Sequence, residues 1–185
     1  MRKLIAGFAT SIDCFIKGPK GEIDWIIYDK EVIKELEKQW SETDALLHGR
    51  VTYEEVIKMF SKRGTKRADP FAHMKHYVFS NTLTKVVEGY ILLKGDIKKE
   101  VNKIKSVKGK NIAVFGGAKL LSSLLAHKLV DEIVLAISPV LLGKGIPFFA
   151  NIEHRIDFTL KECKSFSSGL VRLTYKLKTK QKNRT

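Results

Sequence analysis

Residues 112–141, IAVFGGAKLLSSLLAHKLVDEIVLAISPVL, decide the fold class of this chain. An apolar run at 112–115 leads through two glycines into a segment with leucines at helical spacing, and a second long apolar run follows at 133–141. Short apolar runs bounded by turn residues are typical of buried strands, and the leucine spacing predicts an amphipathic helix over 117–127. A strand, a helix and a strand in this order form a unit whose two strands are parallel.

The same alternation continues along the rest of the chain. Further strands are predicted over 3–9, 45–48, 76–79, 90–93, 158–164 and 169–177, and further helices over 29–40, 52–60 and 97–104. Thr52 followed by Glu55 has the capping-box pattern, which places the start of one helix at Thr52. Because no helix separates the last strands, we expect an α/β fold with a mostly parallel eight-stranded sheet, an antiparallel C-terminal edge and about four helices.

The length of the chain limits the number of domains, and its charge indicates which kinds of binding partner are possible. The 185 residues suit one domain, which we assign to 1–178, followed by a basic tail at 179–185. The net charge of +14 is compatible with a solvated basic surface or with a site for a polyanion such as nucleic acid. The lysines are spread along the whole chain, including a basic loop at 62–70, which favours the first alternative. A basic surface also attracts a phosphate-bearing cofactor.

The cysteines and the N-terminus indicate the compartment. Cys14 and Cys163 form no C-x-x-C pair, which is typical of reduced thiols in a cytoplasmic protein. The apolar run at the N-terminus is interrupted by Ser11 and Asp13, so a first strand explains it better than a signal peptide. No apolar stretch approaches ~18 residues, so we expect no membrane span. The five histidines are scattered and no metal-binding pattern is visible, so we expect no metal site.

Three loops follow predicted strands, at places where free backbone N–H groups and helix dipoles favour an anion. They are Gly116-Gly117-Ala118, Gly49-Arg50-Val51-Thr52 and Ser80-Asn81-Thr82. Each has a plain alternative: a turn that merely needs glycine, a solvated arginine, or an ordinary polar turn. Because the carboxyl ends of parallel strands share one edge of a sheet, the three loops together predict a site for a dinucleotide, whose pyrophosphate and two sugars need several such loops.

Five segments that cover nearly the whole chain, in order, resemble the dihydrofolate-reductase-like superfamily. They are ATSID at 9–13, ALLHGRVTYE at 45–54, SNT at 80–82, FGG at 115–117, and the stretch from VDEI at 130–133 through PVLLGKG at 139–145. Within that superfamily the chain is similar to the branch related to the C-terminal reductase domain of riboflavin biosynthesis, the RibD C-terminal domain. The resemblance implies a dihydrofolate-reductase-like three-layer fold with NADPH across the carboxyl edge of its sheet.

The resemblance also implies the residues that hold this cofactor. The helix start at Gly49, Arg50, Val51 and Thr52 would bind the adenosine 2′-phosphate and the pyrophosphate. The remaining positions are Ser80, Asn81 and Thr82 beside the adenosine ribose, Gly116, Gly117, Ala118, Lys119 and Leu120 at the pyrophosphate, and Ala9 and Ile16 beside the nicotinamide.

Two positions depart from the pattern of the family. Asn81 stands where relatives often have arginine or lysine, which weakens the case for NADP over NAD. Cys14 stands where glycine is usual, which alters the loop beside the nicotinamide.

The residues that face the substrate are less well marked. Asp13 follows the strand that borders the nicotinamide, so it is either the catalytic group or a carboxylate that stabilises its loop. Trp25 is either a wall of the substrate site or a core residue. Dihydrofolate reductase uses an acid on its first helix, but Asp29, Glu31 and Glu35 match that position poorly and are interpreted as solvated helix carboxylates.

These observations predict an NADPH-dependent reductase that transfers a hydride to a small heterocyclic or carbonyl substrate. The resemblance implies activity of the 5-amino-6-(5-phosphoribosylamino)uracil-reductase or dihydrofolate-reductase type. The alternative is a catalytically silent protein of the same fold that binds nucleotides or nucleic acid. We also expect a homodimer, paired through the long strand that contains Val134, Ala136, Val140 and Leu141.

Overall fold

The computed structural model describes residues 1–62 and 70–178, and within them ten strands and four helices. In chain order these are β1 (Leu4–Thr10), β2 (Phe15–Lys17), α1 (Lys30–Ser41), β3 (Thr43–Gly49), α2 (Arg50–Lys62), β4 (Lys75–Phe79), β5 (Tyr90–Leu93), α3 (Ile97–Ser106), β6 (Asn111–Gly116), α4 (Ala118–Ala126), β7 (Glu132–Ile137), β8 (Ile146–Pro147), β9 (Phe158–Ser165) and β10 (Val171–Leu177). The basic segment 62–70, apart from its two ends, and the tail at 179–185 lie outside the described residues.

Eight of these strands form one sheet in the order β5-β4-β3-β6-β1-β7-β10-β9. Strands β5 through β7 run parallel, whereas β10 is antiparallel to both β7 and β9. The α/β class, the eight-stranded sheet, the antiparallel C-terminal edge and the four helices are therefore confirmed. The sequence did not reveal β2 and β8, which form a separate ribbon, because three and two residues are too short to show a period.

Helices α1 and α3 begin where a side chain satisfies a free backbone N–H group. The Asp29 carboxylate accepts from the backbone N–H of Val32 at 2.8 Å and caps α1, and Asp96 caps α3 in the same way. Helix α2 begins at Arg50, two residues before the predicted start. Thr52 therefore lies inside the first turn, and the predicted capping partner Glu55 instead pairs with Lys17 at 3.0 Å.

The helices cover the two faces of the sheet. On one face, α3 and α4 bury their apolar stripes against the central strands, and the residues in the middle of this core are Leu4, Leu47, Val101, Ile112, Leu121 and Leu124. On the other face, α1 packs through Val32 against Phe166 and Leu170 of the C-terminal hairpin. The crossover from β3 through α2 to β4 places α2 on the same side as α1, because such connections are right-handed. No helix among the described residues is long and apolar enough to cross a membrane.

The strand chosen for pairing between subunits is an inner strand, so that assignment was wrong. Strand β7 is hydrogen-bonded to β1 on one side and to β10 on the other, and Val134 is buried. The strand ends at Ile137, and the chain then turns, with the Val140 backbone N–H donating to the Ser138 carbonyl. Leu141 lies beyond this end and is 68% exposed.

We still expect a homodimer, now through exposed apolar side chains in β8 and in the segments that flank β2 and β8 in the chain. They are Ile12, Leu141, Ile146, Phe149 and Ile152. Sedimentation equilibrium at micromolar concentration should give twice the chain mass, and Leu141→Glu should give the monomer mass. Val107→Glu, at an exposed apolar position outside these segments, serves as the control and should remain dimeric. A native protein that sediments as a monomer contradicts this prediction.

Candidate functional site

The three loops that the sequence singled out lie side by side at the carboxyl edge of the sheet. Strands β4, β3 and β6 are neighbours, with Gly49 paired to Phe79 and His48 paired to Gly116. The chain leaves this edge into α2 after Gly49, into a turn after Phe79, and into α4 after Gly116. The edge therefore brings together two helix N-termini and a polar turn, which is an arrangement suited to a phosphorylated ligand.

Glycine is required where the loop after β3 meets the loop after β6. A Cβ on Gly117 would lie 3.4 Å from the Cα of Gly49, and a Cβ on Gly116 would lie 2.8 Å from the Cγ2 atom of Thr52. Gly116 and Gly117 also have positive φ values, of 150° and 105° respectively, which other residues rarely adopt. The two glycines therefore let the two loops pack closely against each other, which brings their backbone peptide groups together at this edge.

Helix α4 presents its N-terminus to this edge without a side-chain cap. Gly117 occupies the cap position and offers no side-chain acceptor. The first backbone N–H groups of the helix, at Ala118 and Lys119, therefore have no partner within the helix and can bind an anion. Lys119 is exposed, whereas the Leu120 side chain is buried in the core. Any contact of Leu120 with a ligand is thus restricted to its backbone.

At the start of α2, Arg50 is bound to a carboxylate of its own helix. Its Nη1 atom lies 2.9 Å from both carboxylate oxygens of Glu54, and each side chain is 46% exposed. Val51 is also exposed at 55%, and Thr52 packs against Gly116. Because this ion pair lies at the surface, it is weak and can open for a stronger anion.

The turn after β4 is held together by its own side chains. The Ser80 hydroxyl accepts from the backbone N–H groups of Thr82 at 3.2 Å and Leu83 at 3.1 Å. The Asn81 side-chain oxygen accepts from the backbone N–H of Gly95 at 2.8 Å. Asn81 thus fastens this turn to the loop before α3, and its amide nitrogen remains available to a ligand. Thr82 is exposed at the same edge.

A cavity of about 330 Å³ lies between α1 and the sheet and reaches the same edge. Ala9 of β1 lines it, as expected for a residue beside the nicotinamide, whereas Ile16 packs against the main core. The wall also includes three neighbouring rings, with centroids 4.8 Å apart for Trp40 and Phe71 and 5.3 Å apart for Phe71 and Phe115 of β6, the strand next to β1. The cavity is therefore largely apolar and shaped by aromatic rings.

Asp13 is engaged by the loop that follows β7. Its two carboxylate oxygens accept from the backbone N–H groups of Leu142 at 3.2 Å and Gly143 at 2.7 Å. A hydrogen bond from Ser11, together with these backbone donors, lowers the pKa of Asp13. The carboxylate is therefore ionised at neutral pH, which favours the loop-stabilising alternative over a proton donor.

Trp25 lies in the irregular segment before α1 and is partly exposed. Its indole N–H donates to the Glu22 carbonyl at 3.3 Å. The cavity wall at this end is formed instead by Ile26, Ile27 and Tyr28. Trp25 therefore precedes these cavity-lining residues in the chain without lining the cavity itself.

The carboxylates of Asp29, Glu31 and Glu35 are not simply solvated, so their interpretation from the sequence was incomplete. Asp29 caps α1 and Glu31 accepts from Ser167. The Glu35 side chain is only 16% exposed, lines the cavity and is bonded to Lys164 at 2.6 Å. This lysine is the main cause that lowers the pKa of Glu35, so the carboxylate is ionised. The antiparallel hairpin folding over α1 supplies these partners, which sequence spacing does not show.

A buried histidine pair in β3 and β4 was also missed. His48 of β3 is fully buried, and its Nε2 atom lies 3.2 Å from the Nδ1 atom of His76 on β4. Burial lowers the pKa of His48 to about 3. The available signal was that the two histidines lie in strands predicted to follow each other in the chain, at 45–48 and 76–79. No group of metal-binding side chains occurs among the described residues.

Comparisons with known proteins agree with this arrangement. The model of the RibD C-terminal domain matches residues 2–172. The uncharacterized protein YyaP of Bacillus subtilis (strain 168) is 34% identical over 183 residues, which cover 94% of each chain. A crystal structure from Shewanella sp. PV-4 assigned to riboflavin biosynthesis is 26% identical, with a TM-score of 0.77 and coverage of 96% of this chain and 99% of that one.

The same fold occurs in an enzyme with lower sequence identity to this chain. Dihydrofolate reductase from Enterococcus faecalis, complexed with NADP(H), has a TM-score of 0.68 at 16% identity, with 96% of this chain and 97% of that one covered. The chain thus has a dihydrofolate-reductase-like fold. Within that superfamily, the chain belongs to the RibD C-terminal domain family, a family of reductase type.

Proposed function

We propose that this protein is an NADPH-dependent reductase that transfers a hydride to a small heterocyclic or carbonyl compound. The observation that carries the proposal is that a set of anion-binding loops and an apolar cavity lie next to each other at the carboxyl edge of the sheet. Bare glycine loops and two helix N-termini suit a pyrophosphate, and the apolar cavity at Ala9 begins beside them. Hydride transfer requires this combination, because the nicotinamide must be held against its substrate away from water.

The residues at the edge would divide the cofactor between them. Free N–H groups at Gly117, Ala118 and Lys119 would hold the pyrophosphate, and Arg50 would reach the adenosine 2′-phosphate after leaving Glu54. Ser80, Asn81 and Thr82 would border the ribose, and Ala9 would lie beneath the nicotinamide. The bound cofactor supplies the hydride, and the protein supplies orientation and a dry cavity.

A titration distinguishes this proposal from the alternative of a silent nucleic-acid-binding protein, which rests on the net charge of +14. We expect NADPH to bind with one site per chain, and random duplex DNA to bind weakly. Calorimetry with both ligands at several salt concentrations measures this. Tight binding of DNA with a steep dependence on salt, and no binding of NADPH, would replace the reductase with the alternative.

We predict weak dihydrofolate reductase activity. Asp29 is occupied as a helix cap and Glu35 is paired with Lys164, so neither carboxyl is free to deliver a proton to a pterin. A placed acid is typically worth roughly 10²–10⁴-fold in rate, and we expect a deficit of that order against a dihydrofolate reductase assayed alongside. The assay follows NADPH absorbance with dihydrofolate as substrate. Equal turnover by the two proteins would contradict the prediction.

A further inference from the structure

The inner end of the cavity differs from its apolar walls. At this inner end, where Gln39 of α1 lies over Gly7, the lining includes Gln39, Glu35 of the same helix and the side chain of Arg172, which reaches Gln39 from β10. The distance from Ala9 to Gly7, which lies beneath Gln39, is roughly 7 Å along β1, because a strand rises about 3.3 Å per residue. A ligand that lies between the two ends is therefore one or two rings long.

The charges at this inner end are already balanced. Arg172 contacts Glu162 at 3.1 Å and Glu35 at 3.7 Å, and Glu35 is bonded to Lys164 at 2.6 Å. The two acids and two bases cancel, and the side chains of Arg172 and Glu35 are only 13% and 16% exposed. Moving a phosphate into such a place is costly unless an unpaired cation meets it. Among the described residues of the cavity wall, Glu35 and Arg172 are the only charged ones, and neither is unpaired.

Gln39 offers the free polar group of the inner end. Its side-chain oxygen accepts from the Nη2 atom of Arg172 at 3.4 Å, which orients the amide. The amide nitrogen makes no hydrogen bond with any residue that the structure describes, and it lies only 3.1 Å from the place where a Cβ on Gly7 would be. Glycine in β1 thus leaves room for the amide, and because Gln39 lines the cavity, its N–H donors are available to a ligand there. A ligand acceptor such as a ring carbonyl matches these donors.

We propose that the cavity takes an uncharged, flat ring compound with a ring carbonyl bound by Gln39, and excludes compounds that carry a phosphoribosyl group. Glu35 is the residue that enforces the exclusion, because its carboxylate, together with that of Glu162, neutralises Lys164 and Arg172. The inference rests on the proposed reductase function and narrows its substrate class. It separates this chain from the 5-amino-6-(5-phosphoribosylamino)uracil type of reductase that the family resemblance suggested.

Direct binding tests the proposal without turnover. Calorimetry of the full chain, with and without NADPH, would use quinazolin-4-one as the flat lactam, quinazoline as its analogue without the carbonyl, and 5-amino-6-(5-phosphoribosylamino)uracil. We expect quinazolin-4-one to bind, quinazoline to bind roughly 2–10-fold more weakly, and the phosphoribosyl compound to bind worst. Gln39→Leu should remove the difference between the first two. Tighter binding of the phosphoribosyl compound, or no binding of quinazolin-4-one, overturns the proposal.

A gain of binding provides the second test. In Glu35→Gln the cations Lys164 and Arg172 are no longer balanced, so affinity for the phosphoribosyl compound should rise on the order of 10-fold. Glu31→Gln, on the same helix but outside the cavity wall, is the control and should change nothing. An equal affinity in the two variants, both folded by circular dichroism, removes Glu35 from the proposal. Because NADPH binding is measured separately, failure of the reductase function and failure of the substrate class give different results.

Discussion

Replacing Arg50 with alanine should weaken NADPH binding by roughly 10–100-fold and leave NADH binding nearly unchanged. NADPH differs from NADH by one phosphate, and a hydrogen bond to a charged group contributes roughly 1.5–3 kcal/mol, which corresponds to that range. The ion pair with Glu54 must open first, but a surface pair between helix positions four apart contributes only about 0.3–0.5 kcal/mol. The phosphate therefore wins the competition for the guanidinium.

Removing the carboxylate charge of Glu54 should change the affinity for NADPH in the opposite direction. Glu54→Gln frees Arg50 and should tighten NADPH binding roughly 2-fold, which is the fold-change that corresponds to the lost surface pair. Lys58→Ala removes an exposed charge further along the same helix and serves as the control for the general field of the basic surface. Tryptophan fluorescence or calorimetry measures both cofactors in all four proteins. Equal losses of NADPH and NADH in Arg50→Ala would place the arginine on the shared pyrophosphate.

Acid should destabilise the protein through His48. The Phe71 carbonyl lies 2.9 Å from Nε2 of His76, so that nitrogen carries the proton and Nδ1 of His76 accepts from Nε2 of His48. The remaining Nδ1 atom of His48 is buried without a partner, among the rings of His76, Tyr90 and Phe115. Protonating His48 would place a charge there, which is why burial lowers its pKa to about 3.

The sign of the pH dependence follows from the lowered pKa. Below a pKa of about 6.5 the unfolded chain takes up a proton at His48 that the folded chain refuses, so stability falls as the pH falls toward about 3. Between pH 8 and pH 5 this one group should cost about 2 kcal/mol of unfolding free energy. Urea denaturation at both pH values should show that His48→Gln loses less stability than the native protein by that amount.

The control for this experiment is the exposed His154, since His154→Gln should keep the pH dependence of the native protein. Carboxylates with lowered pKa values, such as Glu35, also lose stability in acid, but they are shared by all three proteins and cancel in the comparison. Identical pH dependence in His48→Gln and the native protein would mean that His48 accepts a proton within the fold.

The sequence alone determined the fold and the loops that make the edge. Apolar runs and helical leucine spacing are local signals, and the short connections of an α/β chain leave few ways to arrange them, so the alternation predicted the parallel sheet. The same rule placed Gly49, Ser80 and Gly116 together, because the carboxyl ends of neighbouring parallel strands meet. The family was visible for the same reason, since its motifs are the loops at that edge.

Tertiary structure alone decided which side chains are already engaged. Glu35 looked like a solvated helix acid until the hairpin of β9 and β10 brought Lys164 and Arg172 to it, from more than a hundred residues away. His48 and His76 became a pair through strand register, and β7 became an inner strand because β10 returns antiparallel beside it. Hydrogen bonding and burial depend on partners that are distant in the chain, and no local pattern of residue types records them.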